Sequence, residues 1–330
     1  MMEQTTISNP NSLTTEIIDQ ARRLEAEVGR AVIGQGRVIH ELVIALLAAG
    51  HVLVEGVPGL GKTLLVRSMA VALQGQFNRV QFTPDLMPSD ISGHIMFDMK
   101  TENFRVRKGP VFCNFLLADE INRSPAKTQS ALLEAMQEQQ VTIEGRTFTL
   151  EPPFLVMATQ NPIEHEGTYP LPQAQLDRFL LKVFIDYPSE SDEQALVRQV
   201  THEAVGDRLD TSAIRPMLQA SNIPLLQSHV AGLAVDEQIL NYAVKIVRTA
   251  RDWHGIEVGP GPRGPIALLR AGRAEAFLQG RQFVTPDDIK AVAPAVLRHR
   301  IRLTTDLEIE GYRPDDVLAD LLENIAAPRQ

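Results

Sequence analysis

The segment Gly56-Val-Pro-Gly-Leu-Gly61-Lys62-Thr63 constrains this chain more than any other. It fits the pattern G-x-x-x-x-G-K-[ST] and lies between an apolar run, His51 to Glu55, and a helix-like stretch, Leu64 to Leu73. That strand, loop and helix order is the context the pattern requires. Glycines let successive backbone N–H groups curl around a phosphate, and the N-terminus of the following helix adds positive potential. In such a loop Lys62 sets a point charge against the β- and γ-phosphates, and Thr63 offers a hydroxyl to Mg²⁺. With glycine near 7% of residues in ordinary proteins, a chance match in a chain of this length arises in roughly one sequence in a hundred. A strand feeding a helix through this turn is the unit of a parallel sheet, so the expected fold class is α/β.

A hydroxyl alone does not complete a magnesium site, and a carboxylate is expected at the end of a neighbouring strand. Phe115-Leu-Leu-Ala-Asp119-Glu120 supplies it, an apolar run ending in two acids fifty-seven residues after Lys62. Asp119 is expected to hold Mg²⁺ mostly through water, and Glu120 to polarise an attacking water at the carboxyl end of its strand. A further run, Phe154 to Thr159, ends in Gln160-Asn161-Pro162, where Asn161 can orient that water or touch the γ-phosphate.

Between about 31 and 187, short apolar runs alternate with helix-like stretches. Val80 to Phe82 and Leu180 to Phe184 join the three runs already named, which predicts a parallel sheet covered on both faces. The first fourteen residues are polar and expected to be frayed, and a helical face begins at Thr15 with Ile17, Ile18, Ala21, Leu24 and Val28. After Asp186-Tyr-Pro-Ser189 strand-like runs stop, and helical segments follow at about 190–204, 235–252, 265–279 and 286–300. The expected division is therefore a flexible 1–14, an α/β nucleotide-binding core over 15–187, and an α-helical lid domain over 188–330. Two alternating stretches interrupt the core as expected β-hairpins, about 94–107 and 140–150.

Composition narrows the function. Hydrophobic residues at 44% and charged residues at 22% are those of an ordinary globular chain, and 41 acidic against 32 basic side chains give a net charge of -9. That balance disfavours a chain whose main work is gripping phosphate backbones. The uncharged stretch Leu42 to Val54 is too short to cross a bilayer, and no secretory leader is visible, so a cytoplasmic location without membrane insertion is expected. Cys113 is the single cysteine and reads as a small buried hydrophobe; Trp253 reads as packing. The pairs His40-Glu41, His165-Glu166 and His202-Glu203 lack a second histidine at zinc-protease spacing, and Ser124-Pro-Ala-Lys127 lacks the partner motifs of an acyl-transfer site.

Taken in order, and with Val32-Ile33-Gly34-Gln35 upstream, these segments resemble the AAA+ ATPases. Asp85-Leu-Met-Pro-Ser-Asp-Ile-Ser-Gly93, Gly109-Pro-Val-Phe112, Leu117-Ala-Asp-Glu-Ile-Asn-Arg123, Glu166-Gly-Thr-Tyr-Pro-Leu-Pro172 and Ala174-Gln-Leu-Asp-Arg-Phe179 narrow the resemblance to the MoxR family, over about residues 25 to 310. The resemblance implies ATP and Mg²⁺ as cofactors, bound by Ile33, Gly34, Gly56, Val57, Pro58, Gly59, Leu60, Gly61, Lys62, Thr63 and Leu64, with Thr63 and Asp119 on the metal. It implies a homo-oligomeric ring, commonly a hexamer, with ATP between subunits. Asn161 then corresponds to sensor 1, Arg178 to an arginine finger and Arg263 to sensor 2, with Arg123 a second candidate for a contact to the neighbouring subunit. The hairpins correspond to the helix 2 insert and the pre-sensor 1 hairpin, which face the pore or client. The implied activity is that of an ATP-hydrolysing chaperone that remodels client proteins, often metalloenzymes, with a partner carrying a von Willebrand factor A domain. The alternatives are a nucleic-acid motor of the same AAA+ branch, which the charge disfavours, and a slow nucleotide switch that scaffolds partners. Gln173 and Gly261 depart from the family pattern; the first bears on an inter-subunit contact and the second on how firmly Arg263 is held.

Overall fold

The computed structural model describes residues 10–57, 59–161, 168–201 and 210–328, and for 10–14 and 200 the backbone only. α1 (Pro10–Gly29) and α2 (Gly36–Leu47) lead into β1 (Val52–Glu55), and the glycine-rich loop returns the chain through α3 (Lys62–Ala72) to β2 (Phe77–Gln81). A short α4 (Pro88–Ser92) opens onto a hairpin of β3 (Gly93–Asp98) and β4 (Asn103–Lys108). β5 (Phe115–Asp119), a 3-10 turn and α5 (Ala126–Glu138) follow, then a second hairpin of β6 (Gln140–Ile143) and β7 (Arg146–Thr149). β8 (Leu155–Gln160), a one-turn α6 (Gln173–Leu176) and β9 (Leu181–Phe184) complete the core.

The five core strands form one parallel sheet in the order β2-β5-β8-β1-β9. Side chains alternate across a strand, so each strand feeds two cores. Val52, Val54, Phe115, Leu117, Leu155 and Met157 pack on the face covered by α1, α2, α3 and the lid. Leu53, Leu116, Ala118, Val156 and Ala158 pack on the other face, against α5 and the roots of both hairpins. All of these side chains are buried, which is why the strands read as unbroken apolar runs rather than as alternating ones.

The lid comprises α7 (Glu190–Thr201), α8 (Ile223–Ala231), α9 (Glu237–Arg251), β10 (Ile256–Val258), α10 (Arg263–Leu278), α11 (Pro286–Leu297), β11 (Arg302–Leu303), α12 (Thr305–Ile309) and α13 (Pro314–Asn324). Its starts are chemically marked. Asp236 caps α9 by accepting from the Gln238 N–H at 2.8 Å, and Thr285 with Asp288 forms a capping box before Pro286. Arginines fasten the lid to the core through backbone carbonyls and the Asp177 carboxylate. Arg270 donates to the carbonyls of Ala48 and Ala49, at 2.5 and 2.9 Å, just past the C-terminus of α2. The buried Arg300 donates to the carbonyls of Phe179, at 2.7 Å, Leu180 and Val296, and pairs with Asp177 at 2.8 Å.

Three expectations are amended. Helix α1 starts at Pro10, inside the stretch expected to be frayed, because a proline suits the first helical position; residues 1–9 lie outside those described. The lid is not purely helical, since β10 and β11 pair antiparallel, but three and two residues are too few to leave a periodic signal. Helices α8 and α13 lay outside the expected segments, each being a short run behind a proline.

His40 on α2 stands between two carboxylates, with Nδ1 2.8 Å from Glu25 of α1 and Nε2 2.6 Å from Glu275 of α10. The side-chain hydrogen bonds to Glu25 and Glu275 raise its pKa to about 10. The folded value exceeds the ordinary 6.5, so this contribution is fully present below about pH 6.5 and fades as pH rises towards 10. The thermal-stability advantage of the natural chain over His40→Gln should therefore shrink between pH 7 and 10, as read by paired melting curves; a constant gap would show that the triad does not titrate.

Candidate nucleotide-binding site

The carboxyl ends of β1, β8 and β5 lie level in the sheet, and the residues that follow them meet in one crevice. Gly59, Gly61, Lys62, Thr63, Leu64, Asp119, Glu120 and Asn161 line it, together with Arg79 and Gln81 from β2, around a volume of about 340 Å³. Gly61 caps α3 with φ 78°, a left-handed conformation natural to glycine, and a Cβ there would meet only open space. Gly56 is needed for a different reason, since a Cβ would come within 2.5 Å of the Ile185 carbonyl at the end of β9. Lys62 donates to the Gly56 carbonyl at 2.5 Å, and partial burial lowers its pKa against the pull of Asp119, Glu120 and Glu55. A lysine so placed, at a helix N-terminus, gains from an anionic ligand.

The acidic side of the crevice is closely held. Asp119 accepts from Arg79 at 2.6 Å through one oxygen and from the Thr159 hydroxyl at 2.6 Å through the other. Thr159 also accepts the backbone N–H of Glu120 at 2.8 Å. Glu120 itself has φ 55° and ψ 51°, a left-handed backbone that a non-glycine residue adopts at a cost and that recurs at functional positions. Its carboxylate accepts from Gln81 at 2.7 Å and from Arg123 at 3.0 Å. Thr63 and Asp119 bring a hydroxyl and a carboxylate to the lysine, the hard oxygen donors that suit Mg²⁺ on a phosphate chain.

The remaining expected residues fall elsewhere. Gly56, Val57 and Leu60 line an adjoining groove towards the lid, and Gly34 lines its far end; Ile33 beside it is half-buried, and Pro58 lies outside the described residues. Arg178 and Arg263 line a separate cleft of about 390 Å³ with Asp177, Arg270 and Arg300. Leu181, three residues after Arg178, pairs with Val52 at the start of β1, so this cleft is at the opposite end of the strands from the glycine-rich loop. Arg263 is half-exposed, and its guanidinium is 3.9 Å from Asp177. Gln173 donates to the His299 carbonyl of the lid at 2.7 Å, an intrachain bond where an inter-subunit contact was in question. Arg123, the other candidate for such a contact, turns to Glu120 of its own chain.

The chain is similar to known proteins over most of its length. The model of the ATPase family associated with various cellular activities (AAA) matches residues 51–181, and the AAA lid domain matches 248–321. The chain is 43% identical to the uncharacterized protein YeaC of Bacillus subtilis over 92% of this chain and 93% of that one. It is 42% identical to the chaperone MoxR1 of Mycobacterium tuberculosis over 92% of this chain and 81% of that one. The chain belongs to the MoxR family of AAA+ ATPases. A crystal structure of a candidate ATPase from Cytophaga hutchinsonii superposes with a TM-score of 0.88 at 39% identity, covering 97% of this chain and 99% of that one. No helix among the described residues of this MoxR-family chain is long and apolar enough to cross a membrane.

Sequence reasoning missed Thr159, Arg79 and Gln81. Thr159 and Gln81 stand at or next to the carboxyl ends of their strands, where position was the available signal and chemical type was not; Arg79 lies in the middle of β2 and offered neither. Thr159 is fully buried, and replacing it by valine leaves the Glu120 N–H and one Asp119 oxygen short of a partner. Thr159→Val should lower stability by about 1–3 kcal/mol in denaturant titrations. A neutral substitution would show that another group takes over both bonds.

Proposed function

We propose that this chain binds ATP with Mg²⁺ in the crevice around Lys62, hydrolyses it, and acts as a ring-forming chaperone that remodels client proteins. The observation that carries the ATPase reading is the convergence of Lys62, Thr63, Asp119, Glu120 and Asn161 on one crevice. In this reading the loop N–H groups and Lys62 bind the phosphates, and Thr63 and Asp119 hold Mg²⁺, which when bound neutralises charge developing on the β- and γ-oxygens. Glu120 orients and deprotonates the attacking water once released from Gln81 and Arg123, and Asn161 positions the γ-phosphate.

Arg178 and Arg263 support assembly. Both stand at the far end of the strands from their own crevice, so each is suited to a neighbouring subunit's nucleotide and neither to its own. A ring, of six subunits in the proposed form, would give every crevice a finger from Arg178 and a sensor from Arg263. The chaperone role draws on the relative named as a chaperone. Metalloenzyme clients and a partner with a von Willebrand factor A domain complete the proposal, with the hairpins over 94–107 and 140–150 as client-facing elements. The first of these exposes Met96, Phe97, Met99 and Phe104, with Phe97 and Phe104 edge to face at 5.2 Å.

Lys62→Ala should abolish tight Mg²⁺-ATP binding in equilibrium titrations while leaving the melting curve intact, and full affinity would remove the phosphate-loop assignment. Arg178→Ala should keep ATP binding and lose roughly 10³-fold in turnover. Adding Lys62→Ala subunits, which cannot bind but still present Arg178, should restore part of that turnover in a mixture. Undiminished turnover in Arg178→Ala, or no restoration on mixing, would exclude a finger shared between subunits.

A further inference from the structure

The two oxygens of Asp119 are held in different ways. Oδ1 accepts from the buried Thr159 hydroxyl, a neutral donor that fixes the carboxylate and leaves its charge in place. Oδ2 accepts from an Nη of Arg79 at 2.6 Å, where a full positive charge meets a full negative one. Asp119 is also one of the two residues whose oxygens suit Mg²⁺ in the crevice. The chain therefore sets a cation of its own on an oxygen suited to the metal.

The fold puts Arg79 there. β2 is an edge strand of the sheet, and its side chains alternate: Val80 is buried in the core against α5, and Arg79 and Gln81 point the other way. Leu117, the register partner of Arg79, lies in the core under α3, so Arg79 shares the side of the sheet that carries the glycine-rich loop. Register also sets Gln81 beside Asp119. The same Nη donates to Gln81 Oε1 at 3.1 Å, so the glutamine aims the guanidinium at the carboxylate. Arg79 keeps 47% of its side-chain surface exposed and Asp119 only 16%, which makes the aspartate the fixed member of the pair and the arginine the one able to swing out. An ion pair half in water is weak enough for a divalent ion to break.

We propose that Arg79 is a built-in competitor of Mg²⁺, holding Asp119 Oδ2 until a nucleotide-bound metal takes over that carboxylate and turns the guanidinium outwards. Arg79 is here a positioning residue, acting on the metal through Asp119. Two effects of opposite sign follow. Asp119, Glu120 and Glu55 all bear electrostatically on Lys62, and their negative charge repels a phosphate chain that comes without metal. Arg79 offsets part of that repulsion, so it favours the bare nucleotide. It opposes the magnesium complex, which must displace it. The inference rests on the nucleotide reading above and extends it to how the metal enters.

The probe is ADP, which is not turned over, titrated calorimetrically into the full chain in excess EDTA and again in excess Mg²⁺. The ratio of the two dissociation constants measures how far the metal helps binding. A variant that merely loosened the site would weaken both alike and leave the ratio where it was. Arg79→Met, which removes the charge, should weaken ADP in EDTA and tighten it in Mg²⁺, enlarging the ratio by about fivefold or more. Arg79→Lys should stay within about twofold of the natural ratio, because a single nitrogen makes the contact and an ammonium can supply it. Both positions of the charge are half-exposed on an edge strand, so both variants should fold, and melting curves check this. An unchanged ratio in folded Arg79→Met, or a lysine variant that matches the methionine one, would overturn competition at Asp119 while leaving the phosphate site standing. Failure of ADP to bind the natural chain in either condition would instead overturn the nucleotide reading itself.

Discussion

The parallel pairing of β5, β8 and β1 is the constraint on which everything else depends. It sets Ala118 against Ala158 and Glu55 against Gln160, so that three strands end at one level and three loops start side by side. The crevice exists because of that register. A slip of one residue would send the apolar set of a strand to the wrong face and displace Asp119 from Thr159 at once. Burial on both faces makes such a slip expensive, and the buried His51 adds to it. Burial pulls its pKa down to about 4, so the ring stays neutral; it donates to the Met136 carbonyl and accepts from the Val156 N–H. One ring thereby ties the end of α5 to the start of β8.

The same register explains why the acidic residues behave as a set. Thr159, on β8, donates to Asp119 and accepts from Glu120, both on the adjoining strand end. A single hydroxyl thus fixes one carboxylate and the unusual backbone of the next. Gln81 on β2 and Arg123 past β5 then hold the Glu120 side chain, so the proposed base is poised and restrained by neighbours from both sides.

Much of this was legible in the sequence, and the reasons are physical. The glycine-rich loop, the two acids after Phe115 to Ala118 and Asn161 are chemical types at positions where only certain chemistry is useful, so pattern sufficed. The two hairpins were visible because alternation survives when one face is wet. Less legible were groups defined by what they touch. Thr159, Arg300 and Arg298 look like ordinary strand and helix residues until the fold brings to their donors a carboxylate 40 positions away, for Thr159, or a carbonyl or carboxylate 116 to 123 positions away, for the two arginines. The start of α1 and the short β10 and β11 were missed because a frayed end and a two-residue strand carry too few residues for periodicity to register.

Separation of the two arginine-lined regions gives the lid a double role. Arg300 binds the carbonyls of Phe179 and Leu180 and the side chain of Asp177, so it holds the segment that carries Arg178. Asp177 in turn faces Arg263 at the head of α10. Two residues before Arg300 in the chain, Arg298 reaches the groove beside Gly56 and Val57 at the other end of the sheet. The turn at 298–300 therefore touches both the groove towards the lid and the surface proposed to serve a neighbouring subunit. A displacement of that turn by a bound nucleotide would be felt at Asp177 through buried arginine contacts that do not stretch. In a ring, this would let the state of one crevice set the position of the finger offered to the next.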